Sequence, residues 1–227
     1  MVTLRRFLRA ALPTAGFALA VTLGRTVAPD SVASRGPEPE AARRALLGQL
    51  TAAAPTLSPE ALTAALEAWR GAVERGLTTR PVLTVIDYSL PSTEKRLWVL
   101  DLSRGAVLFH ELVAHGMGSG DREATRFSNR HGSNQTSLGA FLTGDTYQGR
   151  NGSSLRLRGL EPGVNDQAEA RAIVVHGADY VSERFIAATG RLGRSHGCPA
   201  VRRGILPKII DAIEGGTLVF GFSARTS

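Results

Sequence analysis

The spacing of apolar residues changes partway along the chain, at about residue 80. Before this point, apolar residues recur with the helical period, and the sequence predicts helices over 41–54 and 58–75. Pro59 at the first helical position and Glu60 in the first turn favour the start of the second helix. We expect the apolar side of this helical hairpin to pack against the domain that follows, rather than to bind a partner.

After residue 80, short apolar or β-branched runs separated by turn residues are typical of strands. The polar segment 116–136 is either a loop that borders a site or a disordered excursion. Two short helices are predicted, over 180–188 and 207–213. The pattern as a whole predicts a mainly β fold with short helices, a mixed β-sheet or sandwich preceded by the small helical hairpin. The predicted strands cover 82–88, 97–102, 106–114, 137–143, 155–160, 172–176 and 217–222.

The N-terminus has the pattern of a targeting segment. Arg5, Arg6 and Arg9 precede an apolar stretch over 10–23, and the small residues of 31–33 follow as a cleavage signal. The stretch is shorter than the ~20 residues that a spanning helix needs, which favours an exported signal peptide over a permanent anchor. We therefore expect export to the periplasm or cell envelope, and no stable membrane span once the signal is cleaved.

The composition excludes several classes of protein. The chain has 227 residues, of which 43% are hydrophobic and 21% charged, as is typical of a globular protein rather than a disordered or fibrous one. The net charge of +7 raises the question of nucleic acid, but no Lys/Arg-rich run is interleaved with aromatic residues. We expect no nucleic-acid partner, and part of the positive charge belongs to the N-terminal segment.

Cys198 is the only cysteine, and in an exported protein an unpaired thiol is a liability unless it is used. It lies in a glycine-rich turn, and His176 ends a predicted buried strand upstream. A cysteine nucleophile needs a group that takes its proton and returns one to the leaving group, and imidazole suits both steps. Cys198 is therefore the candidate nucleophile and His176 the candidate base. Gly197 allows a tight turn in which the amides of Gly197 and Cys198 face an oxyanion.

The neighbouring residues point to less specific roles. We assign His196 a supporting role rather than that of the base, and Ser195 is expected to hold the loop or to contact the substrate. Zinc binding by the histidines and Cys198, with His115 or His131 as a further ligand, is disfavoured because the sequence lacks a close-spaced ligand pair of the usual kind. We therefore expect no metal at this site.

Several segments of the chain resemble the L,D-transpeptidase (YkuD-type) catalytic domains, and in particular the murein L,D-transpeptidase catalytic domain family. The active-site signature of that family is matched by His176-Gly177 and by Ser195-His196-Gly197-Cys198. The resemblance extends over about 80–222, in the segments Asp87-Tyr88-Ser89, Pro91 to Leu97, Leu112 to Gly116, Thr136 to Gly139, Ser154 to Leu157 and Gly190 to Ala200.

The resemblance implies an L,D-transpeptidase-type fold and an enzyme that acts on the tetrapeptide stems of peptidoglycan. In this family's reaction, Cys198 attacks a stem carbonyl, expels the terminal D-Ala and holds the stem as a thioester, which an amine acceptor then resolves. Carried over residue by residue, His176 is the base, the Gly177 carbonyl orients its imidazole, and Gly197 donates to the oxyanion together with Cys198. The resemblance implies no metal and no organic cofactor.

On this interpretation the chain has three parts: a signal peptide over 1–33, a linker and accessory helical segment over 34–79, and a catalytic domain over 80–227. Arg194 and Arg202 are candidates to bind a stem carboxylate through paired hydrogen bonds. A solvated surface role fits any loop arginine equally well.

Two alternatives to transpeptidation stay open. If water resolves the thioester, the same Cys-His site is that of an L,D-carboxypeptidase or hydrolase. A catalytically silent protein that binds peptidoglycan would keep the fold without the reaction. The chain also has Ala200 where many members of the broader family carry Asn or Arg, which leaves the acceptor open. The sequence does not specify the oligomeric state.

Overall fold

The structure, a computed structural model, describes residues 40–149 and 152–225. The predicted signal peptide over 1–33 and the linker before residue 40 lie outside the described residues. The described part begins with two helices, α1 (Glu40–Ala53) and α2 (Pro59–Glu74).

Strands and two short helices make up the rest of the described chain. The prediction of a mainly β fold with short helices after a helical hairpin is therefore confirmed. The elements are β1 (Val82–Asp87), β2 (Lys95–Asp101), β3 (Ala106–Leu112), β4 (Gly139–Gly149), β5 (Gly152–Gly159), β6 (Val174–Ala178), α3 (Glu183–Thr189), β7 (Ala200–Arg202), α4 (Leu206–Ile213) and β8 (Leu218–Phe222).

The eight strands of the described residues form one sheet, in the order β3-β2-β1-β8-β4-β5-β6-β7. Neighbouring strands are antiparallel except for the pairs β1/β8 and β6/β7, which are parallel. The two edges of the sheet meet just beyond the end of β3, where the Ala114 amide donates to the Ala200 carbonyl at 2.8 Å. The sheet is therefore curled, and this junction brings the chain after β3 next to the chain around β7.

Both faces of the central strands are covered by helices. On one face, α2 buries Leu62 in a cluster with residues of β1, β2 and β8 that includes Trp98. Ser58 caps this helix, since its Oγ accepts a hydrogen bond from the Ala61 amide at 3.2 Å. On the other face, Ile209 of α4 packs into a second apolar cluster. The expectation that the helical hairpin packs against the domain that follows is confirmed.

Some elements differ from their predicted bounds for physical reasons. The strand predicted over 172–176 begins only at Val174, because Ala172 has a left-handed backbone conformation with φ of 53° that belongs to the preceding turn. Strand β7 was not predicted, since its three residues are too few to establish an alternating pattern. The polar segment 116–136 is an ordered loop, and Gly116 pairs in it with Ser195 on the loop that carries Cys198, so the segment borders the candidate site.

We expect Leu62→Ala to lower the free energy of unfolding by roughly 2–5 kcal/mol, the usual range for removal of a buried leucine side chain. Leu62 is 1% exposed between α2 and the sheet. Leu108→Ala is the matched control, because Leu108 is 39% exposed on β3. Its effect should stay within about 1 kcal/mol. Equilibrium urea unfolding measures both variants, and equal effects would contradict the packing of the hairpin on the sheet.

Candidate active site

The loop 195–198 is closed by a serine hydroxyl. Ser195 Oγ donates to the Cys198 carbonyl at 2.6 Å and accepts from the Gly197 amide at 3.0 Å. Gly197 has φ of 125°, and a Cβ there would lie 2.8 Å from the Gln135 carbonyl oxygen, so both conformation and space require glycine. The Gly197 amide, predicted to face an oxyanion, is thus used inside the loop. The Cys198 amide is left as the candidate oxyanion donor of this loop.

His176 lies on β6 and is 5% exposed. Its Nδ1 is 3.2 Å from the Gly177 carbonyl oxygen, and because a carbonyl can only accept, Nδ1 carries the proton. Nε2 is then the unprotonated nitrogen. Burial lowers the pKa of His176; the hydrogen bond to Gly177 opposes this effect, and the positive charge of Arg203 adds to it. The imidazole is therefore neutral at pH 7, as a general base must be.

Cys198 is half-buried, and its Sγ donates to the Ala172 carbonyl at 3.7 Å. Burial raises the pKa of this thiol, while a hydrogen bond from the Val174 backbone and the positive charge of Arg171 act in the opposite direction. Because the burial effect is the larger, the cysteine rests as a thiol. A group that accepts its proton is needed for it to attack a carbonyl.

Strand pairing places the backbone of His176 next to the chain that directly follows Cys198. The His176 amide donates to the Pro199 carbonyl at 3.4 Å, and His176 lies opposite Ala200 in the parallel pair of β6 and β7. Cys198 comes directly before Pro199, so the nucleophile candidate lies on the loop that leads into β7, while the base candidate lies on the neighbouring strand β6. At rest the thiol and the imidazole are both neutral, so proton transfer has to accompany the reaction.

The other predicted site residues have different surroundings. His196 is exposed on the loop. Arg194 forms an ion pair with Asp121 at 2.8 Å. Arg202 donates to both carboxylate oxygens of Glu111 at 2.6–2.9 Å. Because Glu111 is 6% exposed, loss of Arg202 would leave a buried charge without its partner. Both arginines therefore already have a carboxylate partner within the same chain, one exposed and one buried, and their contact with a substrate stays a prediction.

The chain after β3, residues 113–120, forms a supporting segment for the cysteine loop. The Ser195 amide donates to the His115 carbonyl at 3.0 Å, and the Met117 amide donates to the Ser195 carbonyl at 2.8 Å. These two hydrogen bonds flank the bridge between Gly116 and Ser195. The position of the loop thus depends on the position of the supporting segment.

Gly116 is the point of closest approach between the supporting segment and the loop. A Cβ at this residue would lie 2.8 Å from the Gly197 Cα and would also meet the Asn134 carbonyl. Thr136 Oγ1 joins the same two glycines, since it accepts from the Gly116 amide at 2.9 Å and donates to the Gly197 carbonyl at 3.3 Å. Two glycines and one hydroxyl therefore allow two backbones to pack at van der Waals distance.

A fully buried arginine holds the supporting segment in place. The Arg96 guanidinium donates to the Leu90 carbonyl at 2.7 Å and to the Val113 carbonyl at 3.0 and 3.2 Å. Its Nη2 lies 2.7 Å from His115 Nδ1, and because arginine cannot accept, this nitrogen of His115 is the unprotonated one. Burial and, to a smaller extent, the charge of Arg96 lower the pKa of His115 to about 4.

Sequence reasoning missed the roles of Arg96, Thr136 and Arg171. The sequence does contain an indication for Arg96. This arginine directly precedes the apolar run of a predicted strand, where a charged side chain is buried only if it has partners. The contacts of Thr136 join residues that are far apart in the chain, and no local pattern indicates them. Within the described residues, no three His, Cys, Asp or Glu side chains are grouped as a metal site would need.

Comparison with protein families gives a match over most of the chain. A family model described as the L,D-transpeptidase catalytic domain matches residues 53–222. A comparison with curated proteins gave no match.

The fold was also compared with solved structures. An L,D-transpeptidase from Mycobacterium smegmatis is similar at 15% identity and a TM-score of 0.39, over 63% of this chain and 58% of that one. An L,D-transpeptidase from Stackebrandtia nassauensis is similar at 17% identity and a TM-score of 0.38, over 66% of this chain and 60% of that one. Residues 123–326 of the L,D-transpeptidase from Xylanimonas cellulosilytica are similar at 16% identity and a TM-score of 0.36, over 67% of this chain and 68% of that one. The chain thus spans less than two thirds of the length of the first two.

The buried His115 predicts a loss of stability in acid. Its pKa is about 4 in the folded state against 6.5 as the ordinary value, so between these values the unfolded chain binds a proton that the folded chain excludes. We expect the free energy of unfolding to fall from pH 7 to pH 4.5 by roughly 2–3 kcal/mol on account of this residue.

His115→Asn should remove that part of the pH dependence, because the amide oxygen still accepts from Arg96 but does not titrate. Urea unfolding of the parent protein and the variant at pH 7, 5.5 and 4.5 measures the difference. If both proteins lose equal stability between pH 7 and 4.5, His115 is not buried in its neutral form.

Proposed function

The chain belongs to the L,D-transpeptidase catalytic domain family, whose model matches well over half of its length, and on this basis we propose that it is a cysteine L,D-transpeptidase of peptidoglycan. Its substrate in this proposal is a tetrapeptide stem, and its acceptor is an amine. The observation that carries the proposal is a half-buried thiol on the loop leading into β7, the strand that pairs with β6, where a buried imidazole has its proton on Nδ1.

The reaction begins when Sγ of Cys198 attacks the stem carbonyl that precedes the terminal D-Ala, while the thiol proton moves to Nε2 of His176. The carbonyl electron pair moves onto oxygen, where the Cys198 amide stabilises the charge. As the intermediate collapses, the bond from carbon to nitrogen breaks and the imidazolium gives its proton to the departing amine. D-Ala leaves, and the stem stays on Sγ as a thioester.

The second half of the reaction runs the same proton transfers in reverse order. An acceptor amine attacks the thioester, and His176 takes a proton from that amine. The bond between carbon and sulfur breaks, and the thiolate recovers its proton from the imidazolium. The carbonyl of Gly177 keeps the ring in one orientation through both halves. No nucleotide is needed, because the thioester retains the energy of the peptide bond that was broken.

The remaining site residues act on binding in this proposal. His196 is exposed on the loop and supports the bound stem without carrying protons. Arg194 reaches a stem carboxylate by exchanging its contact with Asp121, which is a surface residue. Arg202 is the weaker candidate, since its partner Glu111 is buried and an exchange would leave that carboxylate unpaired.

Export of the protein is a further part of the proposal. It is supported by the arginines and the apolar stretch within residues 1–33, which together follow the order of a signal peptide. In the part of the chain that the structure describes, every helix is too short or too polar to cross a bilayer. The proposed substrate lies outside the cytoplasm, which agrees with an export signal.

Incubation of the protein with a tetrapeptide muropeptide, followed by intact-protein mass spectrometry and product analysis, tests the proposal. We expect an acyl adduct on Cys198, release of D-Ala and formation of cross-linked dimers. Cys198→Ala should give neither adduct nor product, because the chain has no second cysteine. Tripeptides in place of dimers would make water the acceptor and the protein an L,D-carboxypeptidase. Turnover by Cys198→Ala would refute the mechanism.

His176→Asn separates the base from the nucleophile. We expect formation of the thioester to slow by about 10²–10⁴-fold, the usual contribution of a positioned general base. His131→Asn is the matched control, since His131 is an exposed histidine of segment 116–136, and it should react as fast as the parent protein. Rates of adduct formation by mass spectrometry give the comparison, and equal rates for the two variants would exclude His176 as the base.

A further inference from the structure

The turn before β6 presents a positive charge to the cysteine loop. Arg171 Nη1 donates to the Ser128 carbonyl at 2.6 Å and to Ser137 Oγ at 2.5 Å. Its Nη2 donates to the Gln135 carbonyl at 2.5 Å and to Ser133 Oγ at 3.4 Å. All four acceptors are uncharged. Among residues 40–149 and 152–225, Arg171 has no carboxylate within ion-pair distance.

Two consecutive residues of this turn contact two consecutive residues of the loop. Nη2 of Arg171 lies 3.1 Å from the position that a Cβ on Gly197 would occupy. The carbonyl of Ala172 accepts from Sγ of Cys198 at 3.7 Å. The left-handed conformation of Ala172, with φ of 53°, accompanies this placement of its carbonyl. The guanidinium therefore lies beside the backbone that carries the nucleophile.

A cation that is hydrogen-bonded only to neutral acceptors keeps its full charge available to a nearby anion. The arrangement of Arg171 differs in this respect from that of Arg202 and Arg194, each of which has a carboxylate partner. The four hydrogen bonds also restrict the guanidinium, so its position relative to the loop is set before any substrate binds. Fixed charge of this kind stabilises an anion without reorganisation.

We propose that Arg171 is a positioning residue that stabilises the thiolate of Cys198 and fixes the loop on which that thiolate forms. The inference deepens the proposed function and rests on Cys198 as the nucleophile of that reaction. Arg171 holds segment 128–137 against the loop through its hydrogen bonds and supplies the positive charge through its position. It does not contact the substrate and transfers no proton.

The other ionisable groups near Cys198 do not supply this charge. Burial raises the pKa of the Tyr88 and Tyr180 phenols, that of Tyr180 to about 12, and the charge of Cys198 raises both further, so both are uncharged in the working range. His176 is neutral at rest. The charge of Arg171 lowers the pKa of the thiol against the rise that burial causes.

Alkylation of the only cysteine gives a direct test that needs no peptidoglycan. The rate of reaction of the full-length protein with iodoacetamide, followed by intact mass from pH 5.5 to 10, reports the pKa of Cys198. For Arg171→Met we expect that pKa to rise by about one unit or more, as is usual for removal of an opposite charge close by. The alkylation rate at pH 7 should then fall about tenfold or more.

Arg171→Lys and Arg126→Met complete the set of variants. Arg171→Lys keeps the charge but not the paired hydrogen bonds, so its thiol pKa should stay closer to that of the parent protein than to that of Arg171→Met. Arg126→Met is the matched control: Arg126 is exposed on segment 116–136, and its removal changes the net charge equally. Its thiol should titrate as in the parent protein.

Two results would overturn the inference. One is an unchanged thiol pKa in Arg171→Met with a native circular dichroism spectrum. The other is a thiol pKa in folded Arg171→Lys that is higher than in the parent protein by about one unit or more. This second result decides the matter if Arg171→Met does not fold. Failure of the proposed function is distinguishable from failure of this inference. A protein that forms no thioester with a muropeptide would still show the higher thiol pKa in Arg171→Met when it is alkylated.

Discussion

The curled sheet is held edge to edge by the bridge between Ala114 and Ala200, and the geometry of the candidate site depends on this junction. It places the chain after β3 against the chain before β7, which carries Cys198. Gly116 and Gly197 then pack at a distance that leaves no room for a side chain on either. The nucleophile is thereby fixed by backbone contacts, and His176 is fixed by the pairing of β6 with β7, in which it lies opposite Ala200 of the same junction.

Two arginines, Arg96 fully buried and Arg171 partly buried, hold this backbone arrangement together. Arg96 and Arg171 each donate to carbonyl oxygens of segments that carry no helix or strand, and these hydrogen bonds satisfy groups that a sheet would otherwise satisfy. Each positive charge lowers the pKa of its neighbour. For His115 this adds to the effect of burial and favours the neutral form, whereas for Cys198 it opposes the effect of burial and favours the anion. Arginine side chains thus both stabilise the loops around the candidate site and change the pKa values of the groups next to them.

The sequence was informative where the signal was local. The helical period before residue 80, the strands β1 and β2, and the glycine-rich turn around Cys198 could all be read from short stretches. The roles of Thr136 and Arg171 could not, because their partners are brought together only by the curl of the sheet. The hydrogen bond from the Gly197 amide to Ser195 Oγ was also missed, because it depends on the rotamer of Ser195 and not on the sequence motif. Local patterns predict elements and reactive groups, while the contacts between loops require the fold.

The central claim of this account is that the site rests as a neutral thiol beside an imidazole that is protonated on Nδ1 and free on Nε2. Two-bond correlation NMR of the protein with ¹⁵N-labelled histidine at pH 7 tests it most directly, because the spectrum distinguishes the two tautomers and the imidazolium. The chain has five histidines, and the spectrum of His176→Asn identifies the signal. The account predicts the Nδ1-protonated tautomer for His176. A signal from the Nε2-protonated form, or from imidazolium, would contradict it.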